Sequence, residues 1–541
     1  MTTFDIDVLI AGAGPVGLMA ASRLARSGVS VRLVDAAPGP ATTSRALGAH
    51  ARSLEIYDQV GVLGEIAPHG TRVNAFVRHQ QNAPSRIDFD FNFNDLPTRF
   101  PYMFNVDQVI IERVLRAEAA TAGVGVEWNT RLESFDQDDA GVTAVLRRGA
   151  EARADTDRGT ETVRARYLWG CDGGHSTVRK ALGLPLEGEP AHTWLIADAI
   201  VHTDVARDGV HWLFPGGGAL MLFPFPEPRK WRLLDTTGEG DPEHPDEIAA
   251  QFSRKLSRAL GHETLVDEPS WASKFTIQQR AVPSMHVGRC FVSGDAAHVH
   301  SPASGQGLNT GIQDAYNLAW KLAMVLHGQA GSALLQTYDS ERVPIGQALL
   351  ASTGEVMANA MVEAEPSTED AERGFARQLI RNMSGLTIAY PESPLTVAEA
   401  STDTDAGAEH GPQPGERLVQ VVAADAQSPG WTMLRAALRT PGWHLLEFAD
   451  DGEASDSGRS TARTSPLPAW LSEVAVRRHR PHDGGSAVWD TDGRVHETLA
   501  AAAGDWILVR PDGYLSARGR GEASLATAVD RLTAAITGSA A

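Results

Sequence analysis

Cysteine is almost absent from this 541-residue chain, which has only Cys171 and Cys290. Two thiols so far apart in sequence do not make a disulfide framework or a thiolate metal site, so we predict neither and expect a reducing, cytoplasmic location. Long apolar runs are also lacking. No window approaches about 18 consecutive apolar residues, and no basic segment precedes the first apolar stretch. The sequence therefore predicts no membrane span and no signal peptide.

Positive charge is in deficit, since 48 Lys and Arg residues stand against 68 Asp and Glu residues for a formal net charge of −20. Such a surface repels a phosphate backbone or an anionic membrane, and no basic run reverses this locally. The motifs H-E-x-x-H, C-x-x-C and G-x-S-x-G are missing as well. We expect no metal, no nucleic acid and no membrane as partners, and a protein that is a monomer or a homodimer.

The first 35 residues contain a nucleotide-binding unit. A short apolar strand from Asp7 to Ala11 leads into a glycine-rich turn, then an amphipathic helix, then a second strand that ends before Asp35. The glycines permit a tight turn and bring the backbone close to a pyrophosphate, which lies at the positive end of the helix dipole. Asp35 is placed to accept hydrogen bonds from a ribose, which does not separate FAD from NAD. The contacts predicted in the turn are Gly12, Gly14, Pro15, Val16 and Gly17.

A second glycine-rich segment separates these two cofactors. A strand that ends at Gly294 and Asp295 is followed by residues 301–309 and by a helix with apolar residues at spacings of three and four. A carboxylate at a strand end accepts hydrogen bonds from a polyol. Gly305 and Gly307 expose backbone N–H groups at a helix N-terminus, where an anion binds. Reduced flavin is such an anion and carries a ribityl chain, whereas NAD has neither, so the segment favours FAD.

A third segment, residues 167–179, has Asp172 and Gly173 near its centre. With these three motifs in order, residues 5–390 resemble the FAD-dependent aromatic hydroxylases of the para-hydroxybenzoate hydroxylase fold. The resemblance implies that Asp295 binds the FAD ribityl chain and that Asp172 serves both FAD and NAD(P)H. It names Arg45, beside the flavin, and Pro302, whose carbonyl pairs with a substrate hydroxyl, as catalytic candidates. Further cofactor contacts that it implies are Arg52, Gln108, Gly294, Leu308 and Asn309.

The resemblance and the order of elements predict an α/β fold. It has a Rossmann-like FAD-binding domain interleaved with an antiparallel-sheet substrate domain, and a C-terminal thioredoxin-like α/β domain that lacks Cys-x-x-Cys. The FAD-binding domain comprises residues 1–72, 95–180 and 281–400, and the substrate domain comprises residues 73–94 and 181–280. Residues 401–415 are interpreted as a linker and 416–541 as the third domain, with a polar, low-complexity loop at 451–466.

Short aromatic strands supply the candidate substrate pocket, namely Trp212, Phe214, Phe223 and Phe225. Since alternate strand residues face opposite ways, we expect at least one set in the core. The resemblance implies that NADPH or NADH reduces non-covalent FAD, that O2 adds at flavin C4a, and that this hydroperoxide hydroxylates a phenolic or polycyclic aromatic substrate. Only one G-x-G-x-x-G is present, so NAD(P)H is expected to bind transiently, without a dinucleotide fold of its own.

Two alternatives stay open. The same flavin chemistry serves Baeyer–Villiger oxidation or epoxidation, which product structure separates from hydroxylation. A non-catalytic FAD-binding redox sensor would carry the same motifs, although aromatic strands favour a substrate pocket. The Trp-x-Trp-x-Ile-Pro segment of flavin halogenases is absent.

Overall fold

The computed structural model describes residues 4–44, 46–79, 84–89, 96–149, 159–299, 305–361, 369–397, 411–449, 466–479 and 487–539. Arg45 and Pro302, the two candidate catalytic residues, lie outside these ranges. So do residues 401–410 of the predicted linker and 451–465 of the predicted low-complexity loop. The described residues form an α/β structure built on four sheets, which confirms the predicted fold class.

Twelve α-helices lie within the described ranges. They are α1 (Pro15–Arg26), α2 (Ala51–Gln59), α3 (Leu63–Ile66), α4 (Gln108–Thr121), α5 (Thr177–Ala181), α6 (Pro245–Leu260), α7 (Gln306–Leu326), α8 (Ala333–Met361), α9 (Glu369–Ser384), α10 (Pro429–Ala437), α11 (Arg494–Leu499) and α12 (Glu522–Thr537). Their surroundings differ: α7 has buried residues on nearly every side, whereas α12 buries only a stripe of residues three and four apart.

The first sheet carries the nucleotide-binding unit and has eight strands. Its central strand β1 (Ile6–Ala11) runs parallel to β2 (Val31–Val34) and to β11 (Thr160–Gly170). The last four residues of β1 are buried, as expected in a parallel sheet that is covered on both faces. The other strands are β8 (Val126–Glu127), β9 (Thr130–Gln137), β10 (Val142–Arg148), β18 (His286–Val287) and β19 (Cys290–Val292). We call this sheet, together with helices α1 to α5 and α7 to α9, the flavin unit, after the FAD-binding domain that the sequence predicts.

The second sheet has nine strands, and we call it the substrate sheet after the substrate domain that the sequence predicts. They are β5 (Ala75–His79), β6 (Pro84–Asp88), β12 (Glu187–His202), β13 (Gly209–Leu213), β14 (Leu220–Pro224), β15 (Lys230–Asp235), β16 (Leu265–Val266), β17 (Trp271–Ala281) and β20 (His298–Val299). Neighbours are antiparallel except β5 and β13, which run parallel and are an exception to the predicted antiparallel sheet. The reason is connectivity, because no hairpin joins these two strands and sets their direction.

Helix α6 packs on one face of the substrate sheet, through a core that includes Ile248 and Phe252. Aromatic side chains cover the other face and contact the core of the flavin unit. A small sheet of β3 (Gly48–Ala49), β7 (Met103–Val106) and β4 (Gly70–Val73) lies beside α2 in the chain. The substrate sheet therefore presents an aromatic surface to the unit that carries the cofactor motifs.

Residues 411–539 form what we call the C-terminal unit. Its five strands are β21 (Trp443–Ala449), β22 (Leu471–Arg477), β23 (Val488–Trp489), β24 (Asp505–Val509) and β25 (Leu515–Arg520). β21 is parallel to β22 and antiparallel to β24. One core of this unit includes Trp320 of α7, so the C-terminal unit shares apolar packing with the flavin unit.

Candidate functional site

The glycine-rich turn after β1 is open in one direction. A β-carbon at Gly12, whose φ is +101°, would collide with the backbone of Cys171, and one at Gly17 would collide with the carbonyl oxygen of Gly12. A β-carbon at Gly14 would meet no atom within 4 Å. Gly14 is also the N-cap of α1, which begins at Pro15. The open side of the turn thus lies where backbone N–H groups and the helix dipole favour a phosphate.

Asp35 follows β2 and supports the same turn. Its Oδ2 accepts a hydrogen bond from the backbone N–H of Ala13 at 2.6 Å, and its Oδ1 accepts one from Ala37 at 2.8 Å. Each carboxylate oxygen has two acceptor positions, so each retains one for a ribose hydroxyl. Asp35 is therefore beside the turn and able to accept further hydrogen bonds, while its ribose contact stays a prediction.

The second motif lies directly against the first. Added β-carbons at Gly294 and Gly311 would lie 2.9 and 2.6 Å from Val16 Cγ2. The Asp295 side chain is exposed, and a β-carbon at Gly307 would lie 3.6 Å from its Oδ1. The phosphate turn, the predicted ribityl carboxylate and the N-terminus of α7 therefore meet. We call residues 12–17, 35, 294–295 and 305–309 the cofactor cradle.

Asn309 joins the cradle to the start of α2. Its Oδ1 accepts a hydrogen bond from the backbone N–H of His50 at 2.9 Å. Its Nδ2 donates to the carbonyl oxygens of Gly48 at 2.9 Å and Gly305 at 2.6 Å. These contacts shape the glycine turn, and the neighbouring Leu308 packs on the flavin-unit core. Direct contacts of Asn309 and Leu308 with a cofactor stay predictions.

Asp172 caps a helix. Its Oδ1 accepts a hydrogen bond from Ser176 Oγ, and its Oδ2 accepts bonds from the backbone N–H groups of Thr177 at 2.7 Å and Val178 at 3.2 Å. These residues begin α5, so Asp172 orders the loop that contains Gly173. The roles predicted for both residues toward FAD and NAD(P)H remain predictions beside this structural role.

Gln108, the first residue of α4, holds the loop around position 45 from two sides. Its Oε1 accepts a hydrogen bond from the backbone N–H of Ala46 at 3.0 Å, and its own N–H donates to Ser44 Oγ at 2.8 Å. On the substrate sheet, Arg232 donates to the Ser44 carbonyl oxygen at 2.8 Å. Gln108 therefore organises this loop, and its predicted contact with the cofactor stays a prediction.

The guanidinium of Arg52 is directed to the C-terminal unit, while its predicted cofactor contact stays a prediction. It donates to the carbonyl oxygen of Asp512 at 3.0 Å and to Glu55 at 3.1 Å, and lies 5.0 Å from the ring centroid of Tyr514. The cause is helical geometry. Residues three apart share one side of a helix, and the side of α2 that carries Arg52, Glu55 and Asp58 meets the C-terminal unit.

Two of the four predicted pocket residues come together. Trp212 and Phe223 are half-buried and pack both on the substrate sheet and on the flavin unit. Phe225 is a core residue at 1% exposure, and Phe214 lies 4.8 Å from the guanidinium of Arg78. Other strands add members that sequence analysis did not select. We call the whole set the aromatic face: Trp194, Ile196, Trp212, Met221, Phe223, Leu234, Trp271 and Phe275.

A buried ion pair beside the aromatic face was also missed. Asp198 on β12 accepts two hydrogen bonds of 2.8 Å from Arg232 on β15. The Arg232 guanidinium lies 5.4 Å from the ring centroid of Trp271 and also bonds to Ser44, as described above. The pair therefore connects the aromatic face to the loop around position 45. Asp198 and Arg232 lie 34 positions apart in the chain, so local spacing gave no signal for their pairing.

A second missed network lies behind the cradle. Asp314 of α7 accepts hydrogen bonds from the Gly294 N–H at 3.0 Å, from His298 at 2.6 Å and from Arg342 at 2.8 Å. Burial opposes ionisation, but His298 and Arg342 hold the pKa of Asp314 at about 2. An ionised Asp314 thus anchors the turn that carries Asp295. The sequence signal was the acidic residue Asp314 among the apolar residues of the predicted helix.

Several chemistries find no support in the part of the chain that the structure describes. It contains no group of three His, Cys, Asp or Glu side chains that could hold a metal ion. None of its helices is both long enough and apolar enough to cross a membrane. Both cysteines are free and buried, and burial raises the pKa of Cys171, so this thiol is not a reactive thiolate.

Comparison with known proteins gives consistent matches. The family model described as "FAD binding domain" matches residues 5–353. The chain is 42% identical over 529 residues to 6-methylpretetramide 4-monooxygenase of Streptomyces rimosus, covering 95% of this chain and 91% of that protein. It is 31% identical over 525 residues to pentachlorophenol 4-monooxygenase of Sphingobium chlorophenolicum, covering 95% and 94%. Among solved structures, CabE, an aromatic hydroxylase from angucycline biosynthesis, aligns with a TM-score of 0.69 at 26% identity, covering 98% of this chain and 99% of that one.

Proposed function

Because the chain belongs to the FAD-binding domain family and is an FAD-dependent monooxygenase, we propose that it hydroxylates a polycyclic phenolic substrate with NADPH or NADH and O2. The observation that carries this proposal is the packing of Trp212 and Phe223, two members of the aromatic face, on the core of the unit that holds the cofactor cradle. FAD supplies electron transfer and oxygen activation when it is bound. The protein's own contribution is to hold the cofactor, orient the substrate and exclude water.

The cradle residues fit FAD. Gly14 leaves room for a phosphate at the N-terminus of α1, and the exposed Asp295 carboxylate lies at the N-terminus of α7. We propose that Gly14 receives the pyrophosphate, Asp35 the ribose and Asp295 the ribityl chain, with FAD held non-covalently. Backbone N–H groups at Gly305 and Gly307 then face the negative end of the reduced ring.

The aromatic face supports a large, flat substrate. Its side chains come from five different strands, and two of them, Trp194 and Trp212, have indole N–H groups with no hydrogen-bond partner among the described residues. A buried donor without a partner is costly, so a ligand oxygen is the expected acceptor. We propose that these N–H groups orient hydroxyl or carbonyl oxygens of a polycyclic phenol. The name of the 6-methylpretetramide relative points to the same substrate class.

The remaining assignments are extensions of this proposal. We propose that NAD(P)H binds transiently, because the cradle is the one dinucleotide turn recognised in the sequence. The domain boundaries given above and the thioredoxin-like assignment of the C-terminal unit are retained as proposals. The parallel pairing of β21 with β22 and the antiparallel β24–β25 pair support the latter. A cytoplasmic location and a monomeric or homodimeric state complete the proposal.

Turnover with product analysis tests the proposed reaction. A panel of monocyclic and polycyclic phenols is offered with NADPH or NADH, and products formed under 18O2 are analysed by mass and structure. We expect polycyclic phenols to stimulate oxidation of the reduced nicotinamide and to gain one labelled hydroxyl oxygen. An inserted lactone oxygen or an epoxide would replace hydroxylation by the alternative flavin chemistries. Absence of turnover with every phenol would reject the substrate class.

Cofactor affinity tests the cradle separately. Asp295→Ala should weaken FAD binding about tenfold to a hundredfold, because a hydrogen bond to a charged group contributes roughly 1.5–3 kcal/mol. Asp267→Ala is the matched control, since Asp267 is likewise exposed but pairs with His202 on the substrate sheet. FAD titration of the apoprotein provides the measurement. Equal affinities in the two variants would remove Asp295 from the cradle.

A further inference from the structure

One hairpin turn of the C-terminal unit, residues 510–514 between β24 and β25, contacts α7, which begins in the cradle, and α2, whose N-cap His50 is hydrogen-bonded to the cradle residue Asn309. On α2, Arg52 donates to its Asp512 carbonyl oxygen at 3.0 Å. On α7, Tyr316 donates to the Pro511 carbonyl oxygen at 3.3 Å, and Trp320 Nε1 donates to Asp512 Oδ2 at 3.2 Å. The turn therefore lies where it touches α2 and α7 together.

Charge holds the turn in place. Arg510 donates to Glu341 of α8 through bonds of 2.7 and 2.8 Å and to Asp512 through bonds of 3.0 and 2.7 Å. Lys321 of α7 donates to the same glutamate at 2.7 Å. The four side chains are at most 2% exposed. Two cations face two anions, and removing one charge leaves another uncompensated in the interior, which is strongly destabilising.

Further contacts extend this attachment along α2. Glu55 accepts a hydrogen bond from Arg417 at 3.0 Å, and Asp58 accepts bonds from Arg435 at 3.0 Å and Arg439 at 3.1 Å. All three arginines belong to the C-terminal unit. One side of α2 is therefore bound to that unit over its whole length.

The same two helices are also joined directly, near their starts. Asn309, near the start of α7, accepts from the His50 N–H and donates to Gly48 and Gly305, as described above. The separation of α2 and α7 is thus set by two connections, one inside the cradle and one at the 510–514 turn. Packed interiors transmit displacements because they contain few voids.

We propose that the 510–514 turn is a positioning element of the cofactor site. It holds α2 and α7 at the separation that the cradle needs, so the C-terminal unit contributes to FAD retention without touching FAD. This inference rests on the proposed cradle. It gives the C-terminal unit a task in a chain whose two cysteines both lie outside that unit.

The variant Asp512→Asn tests the positioning role, with Asp490→Asn as the matched control. Asp490 is as deeply buried, but it accepts its hydrogen bonds from Val495 and His496 inside the C-terminal unit. Titration of each apoprotein with FAD is combined with urea denaturation. We expect Asp512→Asn to weaken FAD binding about tenfold and Asp490→Asn to lower stability with FAD affinity unchanged. Losses of affinity that simply follow the losses of stability in both variants would overturn the proposal, as would unchanged affinity in Asp512→Asn.

Hydrogen exchange and charge rescue give readouts that a general loss of stability would not move. Amide exchange of residues 48–54 should rise in Asp512→Asn and not in Asp490→Asn. Adding Lys321→Met to Asp512→Asn restores the charge balance and should recover FAD affinity to within about threefold of wild type. If the double variant stays as weak as Asp512→Asn, the charge-based part of the proposal fails.

Two further measurements keep the outcome interpretable. Trp320→Phe removes one donor to Asp512 and keeps an aromatic ring, so it should weaken FAD binding about threefold even if Asp512→Asn does not fold. Unchanged affinity in Trp320→Phe would count against the proposal. Failure of the cradle itself is seen elsewhere, because it would leave FAD affinity unchanged in Asp295→Ala.

Discussion

The flavin unit meets the substrate sheet and the C-terminal unit through surfaces of different construction. Toward the substrate sheet it presents apolar contacts with the aromatic face, and the buried ion pair beside them is Asp198–Arg232. Its contact with the C-terminal unit combines the apolar packing around Trp320 with a four-membered ionic cluster, in which Lys321 and Glu341 meet Arg510 and Asp512 of the C-terminal unit. We call these two contacts the substrate seam and the C-terminal seam.

The difference indicates which contact can open. Buried ions are tolerated only when each is paired. Separating the C-terminal seam would leave several of its buried charges without a partner. Over most of its area, opening the substrate seam would expose only apolar surface to water. This seam also contains the indole N–H groups of Trp194 and Trp212, which have no acceptor within the part of the chain that the structure describes. We therefore expect substrate to enter at the substrate seam while the C-terminal seam stays closed.

The largest expected effect comes from breaking the C-terminal seam. Glu341→Gln leaves Lys321 and Arg510 with one buried anion, and should lower the free energy of unfolding by about 3–5 kcal/mol. Urea denaturation measures the change. The control is Glu118→Gln, whose partner Arg26 is exposed, and which should cost less than about 1 kcal/mol. Similar losses in the two variants would show that the buried cluster contributes no more to stability than an exposed ion pair.

A smaller loss is expected at the substrate seam. Asp198→Asn removes the charge that faces Arg232, but that guanidinium keeps the Ser44 carbonyl oxygen and the Trp271 ring. We expect a loss of about 2–3 kcal/mol by the same denaturation assay, in line with hydrogen bonds to charged groups. A loss larger than that of Glu341→Gln would reverse the contrast between the seams.

The two regions should also respond differently to acid. Burial lowers the pKa of His211 on the substrate sheet to about 4, below its ordinary 6.5. As pH falls, this histidine is protonated in the unfolded chain before it is protonated in the folded protein. The free energy of unfolding therefore decreases from about pH 6.5 downward. From pH 6.5 to pH 5 this amounts to about 1.5 kcal/mol, because the slope rises to its full 1.36 kcal/mol per pH unit only below the pKa of the unfolded histidine.

The variant His211→Gln isolates that contribution, because glutamine can still donate to the Ala206 carbonyl oxygen that His211 contacts at 2.7 Å. Its stability should vary less with pH over this range. In the C-terminal seam burial opposes ionisation of Glu341, but Arg510 and Lys321 hold its pKa far below the ordinary value. If the free energies of unfolding of wild type and variant fall by the same amount between pH 6.5 and pH 5, the assignment to His211 is wrong.

The smallest expected effect is on substrate binding. Trp212→Phe removes one indole N–H from the aromatic face and keeps most of the ring surface. It should weaken binding of a polycyclic substrate about threefold to tenfold, the range of a neutral hydrogen bond, without changing the melting temperature. The matched control is Trp431→Phe in the C-terminal unit, where the indole N–H likewise has no partner among the described residues. Equal substrate affinities in both variants would remove Trp212 from substrate orientation.

Local patterns were sufficient for much of the fold and the cradle. The helix that apolar spacing predicts after the second glycine-rich segment is found as Gln306–Leu326. The turn at residues 12–17 and the strand end at Asp295 lie together, as one site requires. These features depend on neighbours within a few residues, which is why spacing and glycine positions are enough to predict them.

The long-range pairings were beyond that reasoning. Arg417 reaches Glu55 across 362 positions, and Arg510 reaches Glu341 across 169. A charged residue on a predicted helix is most often solvated, so nothing in the local pattern separates it from one that is buried and paired. Arg52 shows the same limit, because its hydrogen bond to Asp512 spans 460 positions and has no signal in the local pattern.

The sequence by itself thus determined the cofactor motifs, the near absence of thiol chemistry and the alternation of aromatic residues along the strands. Which aromatic set faces the flavin unit was decided only in the tertiary structure, since alternation defines two faces and does not say which one is covered by a helix. The same holds for the ionic seam. Its four charges are spread along the chain from Lys321 to Asp512. Only the docking of the C-terminal unit on α2 and α7 brings them within hydrogen-bonding distance. Because all four are buried, each must have a partner of opposite charge.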